Sequence, residues 1–280
     1  MSGERERVES FGKLEDGLLQ AGDWYLWGPY LSERQWGTVR EDYSEGGTAW
    51  EYLPHDHARS RAYRWGEDGL AGFSDIEQRL CIALALWNGR DPILKERIFG
   101  LTGNQGNHGE DAKEYWWYLD AVPSHAWNRW RYHYPQRAFP YADLLAENGR
   151  RGKLDPEYEL LDTGAFDDDR YWIVEVDYAK ADPFDLLATV RVTNAGPEAD
   201  DLHVLPTAWY RNTWAWDDGA ERPLLTAVEG TAMRTEHPIL GPLELLADRG
   251  PDGAPPTLLF CENETNAARE QSRHRRRRGR

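Results

Sequence analysis

Ala188-Thr189-Val190-Arg191-Val192-Thr193 alternates apolar and polar residues without a break. In an extended chain this puts Ala188, Val190 and Val192 on one face and the polar residues on the other, the pattern of a strand with one covered side. Residues 157–163, 170–178, 185–193, 201–209, 224–229, 243–246 and 257–261 are segments of the same kind. They are short, rich in β-branched or aromatic residues, and separated by Gly, Pro, Asp or Asn. Many short strands with turns between them predict an antiparallel β-sandwich. Nothing in the chain alternates strand and helix as a parallel sheet would require, and no internal repeat is visible.

Upstream of the Asn148-Gly149-Arg150-Arg151-Gly152 stretch the grammar is mixed. Residues 1–23 form a charged lead, and residues 24–72 are dense in aromatics and Gly, which favours short strands and ordered loops. Ser74-Asp75-Ile76-Glu77 has the spacing of a capping box, and Ile76, Leu80, Ala83, Leu84 and Trp87 follow at helical intervals, so a helix is expected from Ser74 to the Asn88-Gly89 stop. Further helical pieces are expected at 110–119, 123–133 and 138–148. The expected organisation is therefore a lead over 1–23, a mixed α/β aromatic-rich segment over 24–153, sandwich strands over 154–266, and an Arg-rich disordered tail over 267–280. The fold class is mainly β with helical insertions.

The chain has 280 residues with 33 Lys and Arg against 49 Asp and Glu, a net charge of −16. Such acidity argues against general nucleic-acid binding, which needs a basic footprint. The tail runs the other way, with seven Arg between Arg269 and Arg280. It reads either as an arm for nucleic acid or an acidic partner or as a disordered terminus of the sort a frameshift leaves. A mean hydropathy of −0.79 would suggest disorder, but 14 Trp, 14 Tyr and 7 Phe supply large buriable surface that such scales undercount. Two cysteines, Cys81 and Cys261, exclude a disulfide framework or a Cys-based zinc site, point to a reducing compartment, and are expected to be ordinary buried thiols. The apolar run Leu80–Trp87 is too short to span a bilayer. A cytoplasmic protein without membrane partners is expected.

The densest polar constellation is Pro54-His55-Asp56-His57-Ala58-Arg59-Ser60-Arg61 continuing through Trp65, Glu67 and Asp68. If extended, it places His55, His57, Arg59 and Arg61 on one face. Two histidines at i, i+2 could begin a metal site with His108, Glu110 and Asp111, but His-x-His alone is a weak signal, and no metal or cofactor is assigned. The same residues suit sugar recognition, in which aromatic rings meet the C–H face of a pyranose while charged side chains bond its hydroxyls. Trp24, Trp27, Trp36, Trp50 and Trp65 lie beside polar clusters, as do Trp209, Trp214 and Trp216 around Arg211-Asn212; most belong in the core and a few at a surface or cleft. Glycoside hydrolysis needs two carboxyl groups about 5–10 Å apart across a cleft. Glu67-Asp68 and Glu110-Asp111 are sequence neighbours and do not make such a pair by themselves, and Asp167-Asp168-Asp169 reads as a solvated turn. No phosphate loop, nucleophile elbow or dinucleotide fingerprint is present.

Several long runs resemble one family. Trp27-Gly28-Pro29-Tyr30-Leu31-Ser32-Glu33-Arg34-Gln35-Trp36-Gly37-Thr38-Val39-Arg40-Glu41-Asp42-Tyr43, the 54–72 segment, Leu84-Ala85-Leu86-Trp87-Asn88-Gly89, Gly106-Asn107-His108-Gly109-Glu110-Asp111 and Leu205-Pro206-Thr207-Ala208-Trp209-Tyr210-Arg211-Asn212-Thr213-Trp214 are similar to the glucosidase-like proteins of glycoside hydrolase family sixty-three, which include relatives of mannosyl-oligosaccharide glucosidase. The resemblance covers roughly residues 24–266. It implies an N-terminal β-sandwich region preceding an (α/α)6 barrel that hydrolyses α-glucosidic linkages with inversion. Family members continue for several hundred residues past the Phe260-Cys261-Glu262-Asn263-Glu264-Thr265-Asn266 run, and the barrel carries their acid and base carboxylates. No catalytic residue is therefore carried over. The expectation is the N-terminal part of a glucosidase-like protein, inactive alone, whose packing partner is the barrel and whose substrate with it is an oligosaccharide or small glucoside. The cleft-facing residues expected are His55, Asp56, His57, Arg59, Arg61, Trp65, Glu67 and Asp68. The alternative is a stand-alone, non-catalytic carbohydrate-binding protein.

Overall fold

The computed structural model describes residues 3–9, 22–31, 55–64, 68–100, 113–152, 154–216 and 219–269. Two compact units form: Met1–Ser60 with Trp65–Ala208, and Arg61–Arg64 with Trp209–Arg280. The fold is mainly β and antiparallel, and residues 188–193 lie in a strand as their alternation predicts, but the side expected to be covered is not: Ala188 and Val192 are exposed and Val190 is half-buried, because these residues lie on an edge strand.

In the first unit, one sheet has the order β1 (Trp27–Gly28), β2 (Leu70–Asp75), β3 (Leu80–Trp87) and β8 (His203–Tyr210), the last two residues of β8 counting with the second unit. The other sheet has the order β4 (Tyr115–Ala121), β5 (Trp127–Pro135), β6 (Tyr171–Asp182) and β7 (Asp185–Asn194), so neighbouring strands are neighbours in sequence. Its inner face is built from alternate residues. Trp130 lies opposite Val176, and Tyr132 opposite Val174. All four are buried. The two sheets meet face to face where the Phe73 and Tyr178 rings lie 4.8 Å apart and the Tyr178 hydroxyl donates to the Ala71 carbonyl at 2.8 Å. This sandwich draws strands from 70–87 and 115–135 as well as from 171–194, so it crosses the change of grammar near residue 153.

The expected helix from Ser74 is instead two strands and a turn. The Asp75 carboxylate accepts the amides of Glu77 at 3.1 Å and Leu80 at 2.9 Å, and also that of Arg79. These bonds reverse the chain between β2 and β3, with Gln78 at a φ of 57°. Leu80-Cys81-Ile82-Ala83-Leu84-Ala85-Leu86-Trp87 is then a strand between β2 and β8 with buried residues on both of its faces, and a strand covered on both faces needs no alternation. In place of the helices expected over 110–119 and 123–133 stand β4 and β5, with 113–114 and 123–126 in turns and loops, because Asn128, Trp130, Tyr132 and Tyr134 are buried at a period of two. The helix expected over 138–148 forms as Tyr141–Arg150. Residues 160–163 make a 3-10 turn rather than a strand, and 257–261 take neither helix nor strand.

Glu4, in the N-terminal helix Glu4–Glu9, accepts the Ser124 amide and hydroxyl, each at 2.7 Å. Lys180 of β6 turns its ammonium inward and donates to the carbonyls of Trp24, Trp27 at 2.8 Å and Ser124 at 3.3 Å. Gly28 packs so closely on the His125 ring that a Cβ there would collide with it.

The second unit is a three-stranded antiparallel sheet in the order β11 (Gly241–Leu246), β10 (Ala232–His237) and β9 (Thr226–Ala227). Apolar burial is sparse: Leu246 is 75% exposed, and Leu224, Ile239, Leu259 and Phe260 are also exposed. Cys81 is buried as expected, but Cys261 is exposed, since its segment has no sheet to join. No described helix is long and apolar enough to cross a membrane.

Candidate functional site

The segment singled out by sequence, 55–61, is not extended. His55–Ala58 forms a single helical turn. Within the turn Asp56 faces solvent and pairs at i, i+3 with Arg59, Nη2 to Oδ1 at 2.7 Å, while His55 points inward and is buried. The common face expected for His55, His57, Arg59 and Arg61 is therefore lost, because a helical turn rotates successive residues by a quarter turn or more where a strand alternates them. Arg61 belongs to the second unit. Asp68 is buried on the first unit. Trp65 and Glu67 lie outside the described residues, as do His108, Glu110 and Asp111. Among the described residues no group of three His, Cys, Asp or Glu could hold a metal ion.

His55 rests on a polar and aromatic centre that the sequence reading missed. Its ring stacks on Tyr141 at 5.1 Å and meets Phe99 edge-on at 5.5 Å. Burial, reinforced by the nearby charges of Lys95 and Arg97, pushes the imidazole down to about 3, so it is neutral at physiological pH. Lys95 is fully buried; its Nζ lies 3.8 Å from the Phe139 ring centre, 4.6 Å from that of Tyr141, and 2.6 Å from Glu114 Oε1. Glu114 also accepts the Phe99 amide at 3.1 Å and the Tyr132 hydroxyl. Burial raises the Glu114 carboxyl against the pull of Lys95, and raises the Tyr132 phenol well above its ordinary range.

Two further carboxylates sit in the same layer. Asp68 pairs with Arg97, and burial lifts its carboxyl against that pull. Asp91 accepts the Tyr134 hydroxyl at 2.5 Å and the Phe139 amide. Each of these acids is bound by a donor of the chain itself. The arrangement lies beneath the 55–59 turn, on which Asp56 is exposed and His57 and Arg59 are half-buried.

The second unit contains another amide-rich knot. Asn263 accepts the Tyr63 amide at 2.6 Å and donates to the Tyr63 and Tyr210 carbonyls, both at 2.9 Å. Asn212 donates to the Asn263 carbonyl at 2.6 Å and accepts the Ala215 amide at 3.3 Å. Trp214 donates its indole N–H to Glu264 at 2.9 Å. Of the tryptophans proposed for a surface, Trp209 is buried, Trp214 half-buried and Trp216 52% exposed.

No family model matches the chain, and no solved structure matches it. It is similar to Uncharacterized protein YMR196W of Saccharomyces cerevisiae, with 42% identity over 273 residues, covering 87% of this chain and 25% of that protein. The chain thus spans a quarter of the length of the curated relative it matches.

Proposed function

We propose that this chain is the N-terminal β-rich part of a glucosidase-like glycoside hydrolase, a packing base for a catalytic domain that cleaves α-glucosidic linkages with inversion. The observation that carries the reading is the way three family-like runs converge. Residues 61–64, 209–214 and 262–266 resemble the glucosidase-like proteins in sequence, and in the second unit Asn212 and Asn263 tie all three together. The exposed Leu224, Ile239 and Leu246 of that unit suit a surface that another domain covers. In this role Asp56, His57 and Arg59 reach toward sugar hydroxyls, and the Lys95–Glu114 layer holds their turn in place. A reducing, cytoplasmic setting fits a chain with two cysteines, one of them exposed.

Exchange of the matching quarter of the yeast relative for this chain tests the proposal. The chimera is expected to hydrolyse α-glucosides with inversion of the anomeric centre, followed by proton NMR, while this chain alone does not. Absence of α-glucoside hydrolysis by a folded chimera and by the intact relative would overturn it, and so would rapid hydrolysis by this chain in isolation.

A further inference from the structure

The outer face of the β4–β5–β6–β7 sheet is organised in a way that core packing does not require. By strand register Trp117 lies opposite Arg131, Arg131 opposite Glu175, and Glu175 opposite Arg191, forming one row across four strands. Adjacent strands are about 4.8 Å apart, so the row spans roughly 14 Å. The next row holds Arg129 opposite Asp177. Its charges are pinned: Arg131 bonds Glu175 through Nη2 at 2.7 Å and Nε at 3.2 Å, and Arg129 bonds Asp177 in bidentate fashion at 2.6 and 3.0 Å. Arg191 closes on Asp177 from the other side. These arginines nonetheless keep 36%, 39% and 50% of their side chains exposed at positions 129, 131 and 191.

An aromatic shelf borders this strip. Trp117 is 38% exposed and is held edge-on by His133 at 4.8 Å and Tyr115 at 5.8 Å. His133 in turn stacks on Tyr171 at 5.0 Å. The indole is thus fixed before any ligand arrives, which lowers the ordering cost of binding.

We infer that this face is a glycan-binding platform, on which a neutral, linear oligosaccharide stacks a pyranose on Trp117 and bonds its hydroxyls to the Arg131–Glu175–Arg191 row. Fixed guanidinium and carboxylate groups beside one exposed ring match the alternating C–H faces and hydroxyls of such a chain. Cations and carboxylates alternate along the strip, so it sets up no one-signed field that would favour a polyanion. A row of half-exposed ion pairs is also unlike the centre of a protein interface, which is depleted of charge. The platform shares no residue with the His55 turn and draws on the glucosidase reading only for the choice of the α-linked probe.

The test is titration of the full chain with maltohexaose and with cellohexaose, by calorimetry and tryptophan fluorescence. Saturable binding of at least one is expected, weakened roughly tenfold or more by Trp117→Ala and by Arg131→Gln, and unchanged by Trp216→Ala. Arg191→Gln, on the exposed edge strand, provides a second variant whose folding is not at risk and is expected to weaken binding as well. Binding of neither hexasaccharide overturns the inference, as does binding that survives Trp117→Ala and Arg191→Gln in folded protein. In the yeast chimera, Trp117→Ala is expected to lose hexasaccharide binding while hydrolysis of a small α-glucoside is retained, which separates this inference from the catalytic one.

Discussion

The sandwich and the three-stranded unit hold their chains by different means. In the sandwich, large side chains such as Trp130, Trp172, Tyr134 and Phe73 are fully buried, and a lysine and a glutamate are sealed among aromatic rings. In the second unit the buried set shrinks to a few residues, among them Trp209, Tyr210, Asn212, Ala232 and Thr235, and two asparagine side chains tie segments distant in sequence through backbone bonds. One region draws its stability from apolar area packed around a desolvated ion pair, the other from bonds that a single amide group supplies. The lesson is that burial alone does not say where a chain is vulnerable: in the second unit a half-exposed asparagine matters more than an exposed leucine.

The contrast can be broken most sharply at Lys95. Lys95→Met leaves Glu114 charged or protonated without its cation in a dry layer, and a loss of about 3–5 kcal/mol in urea unfolding is expected. Adding Glu114→Leu to it should recover part of that loss, because the stranded acid is removed; equal or deeper destabilisation of the double variant would show that the pair itself carries stability. Next in size, Asn263→Ala strips partners from Tyr63 and Tyr210 and should cost about 1–3 kcal/mol. A change confined to hydrogen-exchange protection of the second unit, with the sandwich amides untouched, would confirm that the cost is local.

His55 supplies a pH-dependent test of the sandwich alone. Its folded value, about 3, lies below the ordinary histidine value of 6.5, so the unfolded chain binds the extra proton between these limits and stability rises with pH across that window. At full effect the slope is about 1.4 kcal/mol per pH unit. His55→Phe keeps the contacts with Tyr141 and Phe99 and should flatten the acid limb; an unchanged slope would move the acid sensitivity to the carboxylates. The smallest effect is expected at Leu246→Ala, within about 0.5 kcal/mol, since an exposed strand residue removes little area from water. A larger loss there would mean that the second unit depends on apolar cover after all.

Strand segments with alternation were legible from sequence, and β6, β7 and β8 lie where the pattern places them. Leu80–Trp87 was not, because a strand whose two faces are both buried needs no polar side, and its Leu and Ala residues are also strong helix formers. The turn that separates β2 from β3 was hidden in the same letters that suggest a cap: Asp75 bonds the amides of residues 77, 79 and 80 to reverse the chain, not to begin a helix. Of the site, the sequence marked His55 and Asp68 as unusual, but their surroundings depend on Lys95, Arg97, Glu114 and Tyr132, which only non-local pairing brings together. A buried Lys–Glu contact across 19 positions leaves no periodic trace.

Tyr63 has a further consequence, in the timing of synthesis. Its backbone amide and carbonyl find their partner in Asn263, 200 residues later in the chain. At about 5–20 residues per second, a ribosome needs on the order of 10–40 s to cover that distance. Throughout that interval residues 61–64 have been synthesised while the unit to which they belong does not yet exist. The sandwich strands between them are made first, so the second unit closes only after the chain between its two pieces has been synthesised.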